Sequence, residues 1–181
     1  RRIDDWRCVV RFKLSLGGAA PLALHIALAA VLAALASAAV SLTAQRRIAV
    51  LKFLAFPLLG VSGLLAVVAA VLLMSAGEVQ TAQLPLGLPW LPWQVRLDVL
   101  GSLFLLIIGI VTCAVAVFGP GYVGEYAHGD QPLVQLGVFT GLFIAGMQLV
   151  VLANDAFLFM LAWELMSLSS YFLVVFHHEN A

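Results

Sequence analysis

Charge is scarce in this chain. Of its 181 residues, 10% are Asp, Glu, Lys or Arg, while 64% are hydrophobic. A soluble domain is about a quarter charged and about half apolar. The deficit excludes an ordinary water-soluble globule and makes lipid the solvent for most of the surface. The few charges cancel to a formal net charge of zero, so no basic surplus exists to attract nucleic acid. Cysteine is nearly absent. Cys8 lies in a polar leader and Cys113 in an apolar run, with no CxxC pair and no Cys/His ligand spacing. The expectation is therefore no iron–sulfur cluster, no zinc or other metal site and no bound cofactor.

What is present is length of apolar sequence. A helix crossing a bilayer needs about 20 apolar residues. Five stretches qualify: 22–43, 53–76, 99–118, 133–153 and 156–176. They neither alternate in polarity nor stop at the roughly 10 residues of a barrel strand. Backbone polar groups in hydrocarbon must bond within their own segment. The predicted fold class is thus all-α: a polytopic membrane bundle of five transmembrane helices over residues 22–176, after a polar, basic leader at 1–21 and before a short tail at 177–181. The connections carry turn and charge chemistry, "AQRRIAVLK", "GEVQTAQLPLGLPWLPWQVRLD", "GPGYVGEYAHGDQP" and "ND". Asp98 and Asn154 or Asp155 occupy N-cap positions.

Small residues recur at four-residue spacing, as Ala29, Ala33, Ser37 and Ser41 in the first stretch and Gly137, Gly141 and Ala145 in the fourth. That spacing lets helix backbones approach closely in lipid, although alanine and glycine are simply common in such sequences. The second connection combines Pro85, Pro89 and Pro92 with Trp90 and Trp93. Proline favours extended or turn backbone and tryptophan the membrane boundary, so an interfacial segment, such as a short hairpin, is expected. The first stretch is too long for a cleaved signal sequence, whose apolar region spans about 15 residues at most. The first residue is Arg1, and the chain is read as a fragment of a longer one.

Two motifs are decoys. Gly119–Gly124, "GPGYVG", fits G-x-G-x-x-G, but it follows an apolar helix and enters a polar connection rather than joining a strand to a helix. His177, His178 and Glu179 resemble a ligand cluster, yet adjacent histidines on a helix point about 100° apart. A boundary role suits them better, as it does His25.

Glu164 is different. It is the ninth residue of its stretch, about 12 Å from one end at 1.5 Å per residue. A glutamate is too short to reach water from there. A charged side chain near mid-bilayer costs about 3 kcal/mol on insertion scales. Two arrangements lower that cost: the carboxyl carries a proton, or it faces a cation or a water-filled path inside the bundle. Both make it a candidate proton relay, against the plainer reading of a neutral acid bonded between helices. Met160, Leu161, Ser167, Leu168 and Tyr171 share its helix face, which is expected to point into the bundle. Ser167 and Tyr171, with Gln148 and Thr140 from the fourth stretch, are the polar groups expected to support it. No lysine lies inside the five stretches.

The run "GMQLVVLANDAFLFMLAWELMSLSSYFLVVF", with its "WE" followed by "MSLSSYFLV", resembles the antiporter-like membrane subunits of respiratory complex I and membrane-bound hydrogenases. The variant is that of the hydrogenase-4 and formate hydrogenlyase branch. The resemblance covers about Asp98 to Phe176; the first two stretches fit by position, and residues 1–13 do not fit. It implies that Glu164 is the family's glutamate on helix five, which pairs with a lysine on a later helix and helps move protons. Asp98 matches an acidic residue before helix three and gains no proton role. Family members carry a second, inverted repeat of helices and their relay lysines beyond this region, which are absent here.

The resemblance thus implies part of a proton-translocating subunit, without a catalytic centre of its own, in an oxidoreductase complex. Its partners would be other membrane subunits, a peripheral redox module, protons and the bilayer of a bacterial plasma membrane. The rival expectation is a non-transporting membrane anchor. Charge counting leaves orientation open. Arg1, Arg2, Arg7, Arg11, Lys13 and Arg96 fall on one side and Arg46, Arg47 and Lys52 on the other, favouring a cytoplasmic N-terminus. Without the leader the bias reverses. The family places the Arg46–Arg47 connection in the cytoplasm, in agreement with the reversed count.

Overall fold

The structure is a computed structural model that describes residues 22–43, 48–88, 91–125 and 133–178. Five helices among them are long and apolar enough to cross a membrane. They are α1 (Leu22–Thr43), α2 (Phe56–Ala76), α3 (Val99–Glu125), α4 (Leu133–Leu152) and α5 (Ala156–His178). Between α2 and α3 stands an antiparallel hairpin, β1 (Gln80–Leu88) and β2 (Leu91–Leu97). In space the helices follow the order α3, α2, α1, α4, α5, with α4 also touching α3. In that order α1 stands at the centre and α5 at one margin against α4.

The packing uses small residues, as expected in lipid, where close backbone approach replaces a hydrophobic driving force. A Cβ on Gly63 would stand 2.9 Å from the Gly109 carbonyl oxygen, and one on Gly141 2.9 Å from the Ala34 oxygen. Gly137, Gly141 and Ala145 are all buried. On α1 the buried stripe runs through Ala30, Ala34, Ser37, Ala38 and Ser41, while Ala29 and Ala33 are only half-buried. A four-residue step overshoots a full turn by about 40°, so a strict four-residue series drifts off the contact line.

The second span starts earlier than the hydropathy indicates. A helical turn at Ile48–Val50 and a π-helical segment at Leu51–Ala55 run continuously into α2. Pro57 explains the wide turn. It has no N–H for the carbonyl four residues back and its ring crowds that carbonyl. The Phe56 N–H reaches instead to the Leu51 oxygen, five residues back. Ser37 on α1 donates its hydroxyl to the Ala55 carbonyl at 2.8 Å. Lys52 is thereby inside a helix rather than in a connection, in the turn where the second span begins.

The third span also outruns its expected end at Phe118. "GPGYVG" is helical to Glu125, with Pro120 inside. Gly119 lies directly against the Phe56 ring, where any side chain would collide, and Val123 is fully buried. Packing of those two positions outweighs the local preference of Gly and Pro to break a helix. The nucleotide-loop reading is excluded by the same helix.

The hairpin covers one end of the bundle. Gln80 accepts from the Leu24 N–H at 2.9 Å, at the start of α1. Val95 and Leu97 are fully buried, and Val95 bridges to Ala153 between α4 and α5. Gly77 ends α2 in the left-handed conformation, φ 69°, which glycine adopts without strain. Trp90, Arg46, Arg47 and the basic leader lie outside the described residues.

Candidate functional site

Two aspartates fix where helices begin. Asp98 accepts the Gly101 N–H at 2.7 Å, and Asp155 accepts the Leu158 N–H at 2.8 Å, each as an N-cap. The second oxygen of Asp155 accepts the Gln94 N–H of β2 at 2.8 Å. One carboxylate therefore holds both the first turn of α5 and the hairpin.

The contact of α5 with α4 then sets its rotation. Phe139 stacks on Phe172 with centroids 4.6 Å apart. Gly146 lets the Met166 backbone approach, since a Cβ there would meet the Met166 nitrogen at 3.1 Å. Leu158, Ala162 and Ser169 form the buried face of α5. Glu164 is two residues past Ala162, about 200° around the helix. It therefore points away from α4 and is exposed, as are Met160, Leu161, Ser167, Leu168 and Tyr171. These residues share one face, and none of the other four helices covers it. Among the described residues, no hydrogen bond or ion pair reaches the Glu164 carboxylate.

Gln148 and Thr140 go elsewhere. The pairs Phe139–Phe172 and Gly146–Met166 set α4 and α5 antiparallel in a register that puts Gln148 at the depth of Glu164. Gln148, however, is fully buried and turned towards α2, where its amide donates to Ser62 Oγ at 3.1 Å. Ser62 in turn donates to the Ala30 carbonyl of α1 at 2.7 Å. The Gln148 carbonyl oxygen has no partner among the described residues. Thr140 donates to the Leu136 carbonyl at 2.6 Å, beside Ser37 and Ser41. The structure thus brings Ser167 and Tyr171 to the face of Glu164, while Gln148 and Thr140 serve the interior of the bundle.

The Ser62 link was not anticipated. Its only signal is a hydroxyl set among small residues in "GVSG". Lys52, the cation inside a described helix, is no companion for Glu164. It sits ten residues before Ser62, about 15 Å along the axis, on a helix that is not adjacent to α5.

A helix bundle of this kind, with an acid on an uncovered membrane-helix face, defines a class of multi-pass membrane proteins, and comparison with known sequences narrows it. No family model matches the chain. It is 31% identical over 85 residues to hydrogenase-4 component B of Escherichia coli, covering 47% of this chain and 12% of that protein. It is 32% identical over 98 residues to the putative antiporter subunit mnhA2 of Staphylococcus epidermidis, 51% of this chain and 12% of the relative. To NADH-quinone oxidoreductase subunit L of Escherichia coli it is 34% identical over 82 residues, 45% and 13% respectively. Over about half its length the chain is homologous to antiporter-like membrane subunits of hydrogenase-4 and complex I. It spans only 12 to 13% of the length of these three relatives.

Proposed function

We propose that this chain supplies the first acidic site of a proton-translocating membrane subunit in a hydrogenase-4, formate hydrogenlyase or complex I-like assembly of a bacterial plasma membrane. Glu164 takes up and releases the proton. The observation that carries this reading is the placement of Glu164: deep in α5, beside Ser167 and Tyr171, on a face that α1–α4 leave uncovered. A cation beside a carboxylate favours its charged form, and withdrawal of the cation favours proton uptake. Among the described residues no cation stands on that face, and this reading places the cation on polypeptide outside the five helices. Redox chemistry in a peripheral module would move that cation.

The test is Glu164→Gln in the full-length subunit within its complex. Proton pumping is expected to fall on the order of a hundredfold, the scale of a lost proton-transfer group, with the complex still assembled. Unchanged pumping overturns the relay. Loss of assembly with no separate pumping defect favours the anchor reading, which the lack of a partner for Glu164 among the described residues also fits.

A further inference from the structure

The hairpin carries a strand edge that the bundle does not use. Gln94 of β2 turns both its main-chain groups away from β1: its N–H donates to Asp155 and its carbonyl accepts the Asn154 N–H. Gln94 and its partner Gln83 are therefore a non-hydrogen-bonded antiparallel pair. In such a pair both residues turn their main-chain groups outwards, so Gln83 presents its N–H and carbonyl on the far edge of β1. The alternation of the ladder puts those of Thr81 there too. These four groups have no hydrogen-bond partner among the described residues, and Thr81 and Gln83 are exposed. Pro85, next in that series, has no N–H, and a proline inside a strand belongs where the ladder needs no donor. A bare strand edge is a template for another strand, and two strands alone are marginally stable.

The sequence that precedes α1 fits this edge. Val10, Phe12, Leu14 and Leu16 are apolar, and Arg11, Lys13 and Ser15 between them are polar. Strict alternation over such a run is the pattern of a strand with one covered face. β1 offers the matching faces: Ala82 and Leu84 pack against the buried core, while Thr81 and Gln83 face out. The five residues Gly17, Gly18, Ala19, Ala20 and Pro21 join the run to Leu22, a reach of about 17 Å. That reach suffices, because α1 starts beside β1: the Leu24 N–H bonds to the Gln80 side chain at 2.9 Å. A tether this short holds the run beside the edge at millimolar effective concentration, an advantage that no strand of a separate subunit has.

We infer that residues 10–16 add to the free edge of β1 as a third, antiparallel strand and complete a sheet over the hairpin end of the bundle. The direction follows from the tether. Leu16 is held near Gln80, the end of β1 that stands at α1, and Val10 lies towards the hairpin tip. Matching faces and the length of the tether then pair Ser15 with Thr81 and Lys13 with Gln83, each pair exchanging N–H and carbonyl. Leu14 falls opposite Ala82 and Phe12 opposite Leu84, on the side of the bundle. Arg11 and Lys13 stay on the wet face with Gln83 and Gln94. This contact is independent of the role proposed for Glu164.

Hydrogen exchange of the full-length subunit in its complex tests it. Lys13→Pro removes the N–H that the Gln83 carbonyl accepts and breaks the pairing. The Thr81 and Gln83 amides are expected to exchange about fivefold slower in the wild type than in this variant, the scale of one backbone hydrogen bond. Arg2→Pro, outside the run, should leave them as in the wild type. A cysteine pair reads the register without a disruptive variant. With Cys8 and Cys113 replaced by alanine, Ser15→Cys and Thr81→Cys should form a disulfide within one chain, since such partners stand about 5.5 Å apart. Ser15→Cys with Gln94→Cys, two strands away, should not. Rapid exchange of both amides in the wild type overturns the inference. So does protection that survives Lys13→Pro, which would give the edge to a strand of another subunit, and so does a cysteine at 81 that links only to a different chain.

Discussion

The two sides of α4 handle polar groups in opposite ways. On the inner side Gln148, Ser62 and the Ala30 carbonyl form a short bonded line through three helices, all buried. On the outer side, at the same depth, Glu164 stands on α5 with nothing from the bundle beside it. The inner groups are neutral, and the Gln148 amide N–H and the Ser62 hydroxyl are bonded within the fold, which leaves only the Gln148 carbonyl oxygen without a partner among the described residues. The outer group is an acid whose cost is met by nothing the bundle provides. A polar residue that is satisfied where it sits holds helices together; one that is not calls for a match from outside, and that is what makes Glu164 the candidate site.

The comparison breaks most severely if the interior loses its close contacts. Gly141→Leu pushes four carbons into the Ala34 and Ala38 backbone. It should destabilise the bundle by about 3 kcal/mol or more, seen as loss of folded protein in a detergent-unfolding titration. Asp155→Ala should cost about 1–2 kcal/mol, through one lost cap and the freed Gln94 N–H. Its distinguishing mark is faster hydrogen exchange in the first turn of α5 and in β2 together. Ser62→Ala is expected to cost about 0.6 kcal/mol, the usual worth of a bond between membrane helices. Proton pumping should be unchanged, in contrast to Glu164→Gln. If Ser62→Ala stops pumping in a normally assembled complex, the inner line is part of the path and the contrast between the two sides fails.

The five spans and both aspartate caps were legible in the sequence, because length in hydrocarbon and an acid before an apolar run each act locally. The continuation of α3 through Gly119 and Pro120 was not. Its cause is the Phe56 ring and the burial of Val123, contacts between residues far apart in the chain. Lys52 reads from the sequence as part of a connection, because the wide turn that carries it answers to Pro57, five residues later. The face shared by Glu164, Ser167 and Tyr171 followed from helix geometry alone, but its expected inward direction did not hold, because the contact of α5 with α4 runs through Leu158, Ala162 and Ser169 and leaves that face uncovered by α1–α4. The direction of Gln148 did not, since α4 is apolar all round and its sequence does not say which neighbour lies on which side. The family resemblance resting on Trp163, Glu164 and the serine-rich run after them agrees with the homologues, which are named hydrogenase-4 component B, putative antiporter subunit mnhA2 and NADH-quinone oxidoreductase subunit L.

The double grip of Asp155 has a mechanical meaning. With one carboxylate fastened to the hairpin strand and to the opening turn of the last helix, the lid and the rod beneath it are a single lever. A tug on the loop outside the oil would tilt or twist the rod and carry the acid two turns below with it.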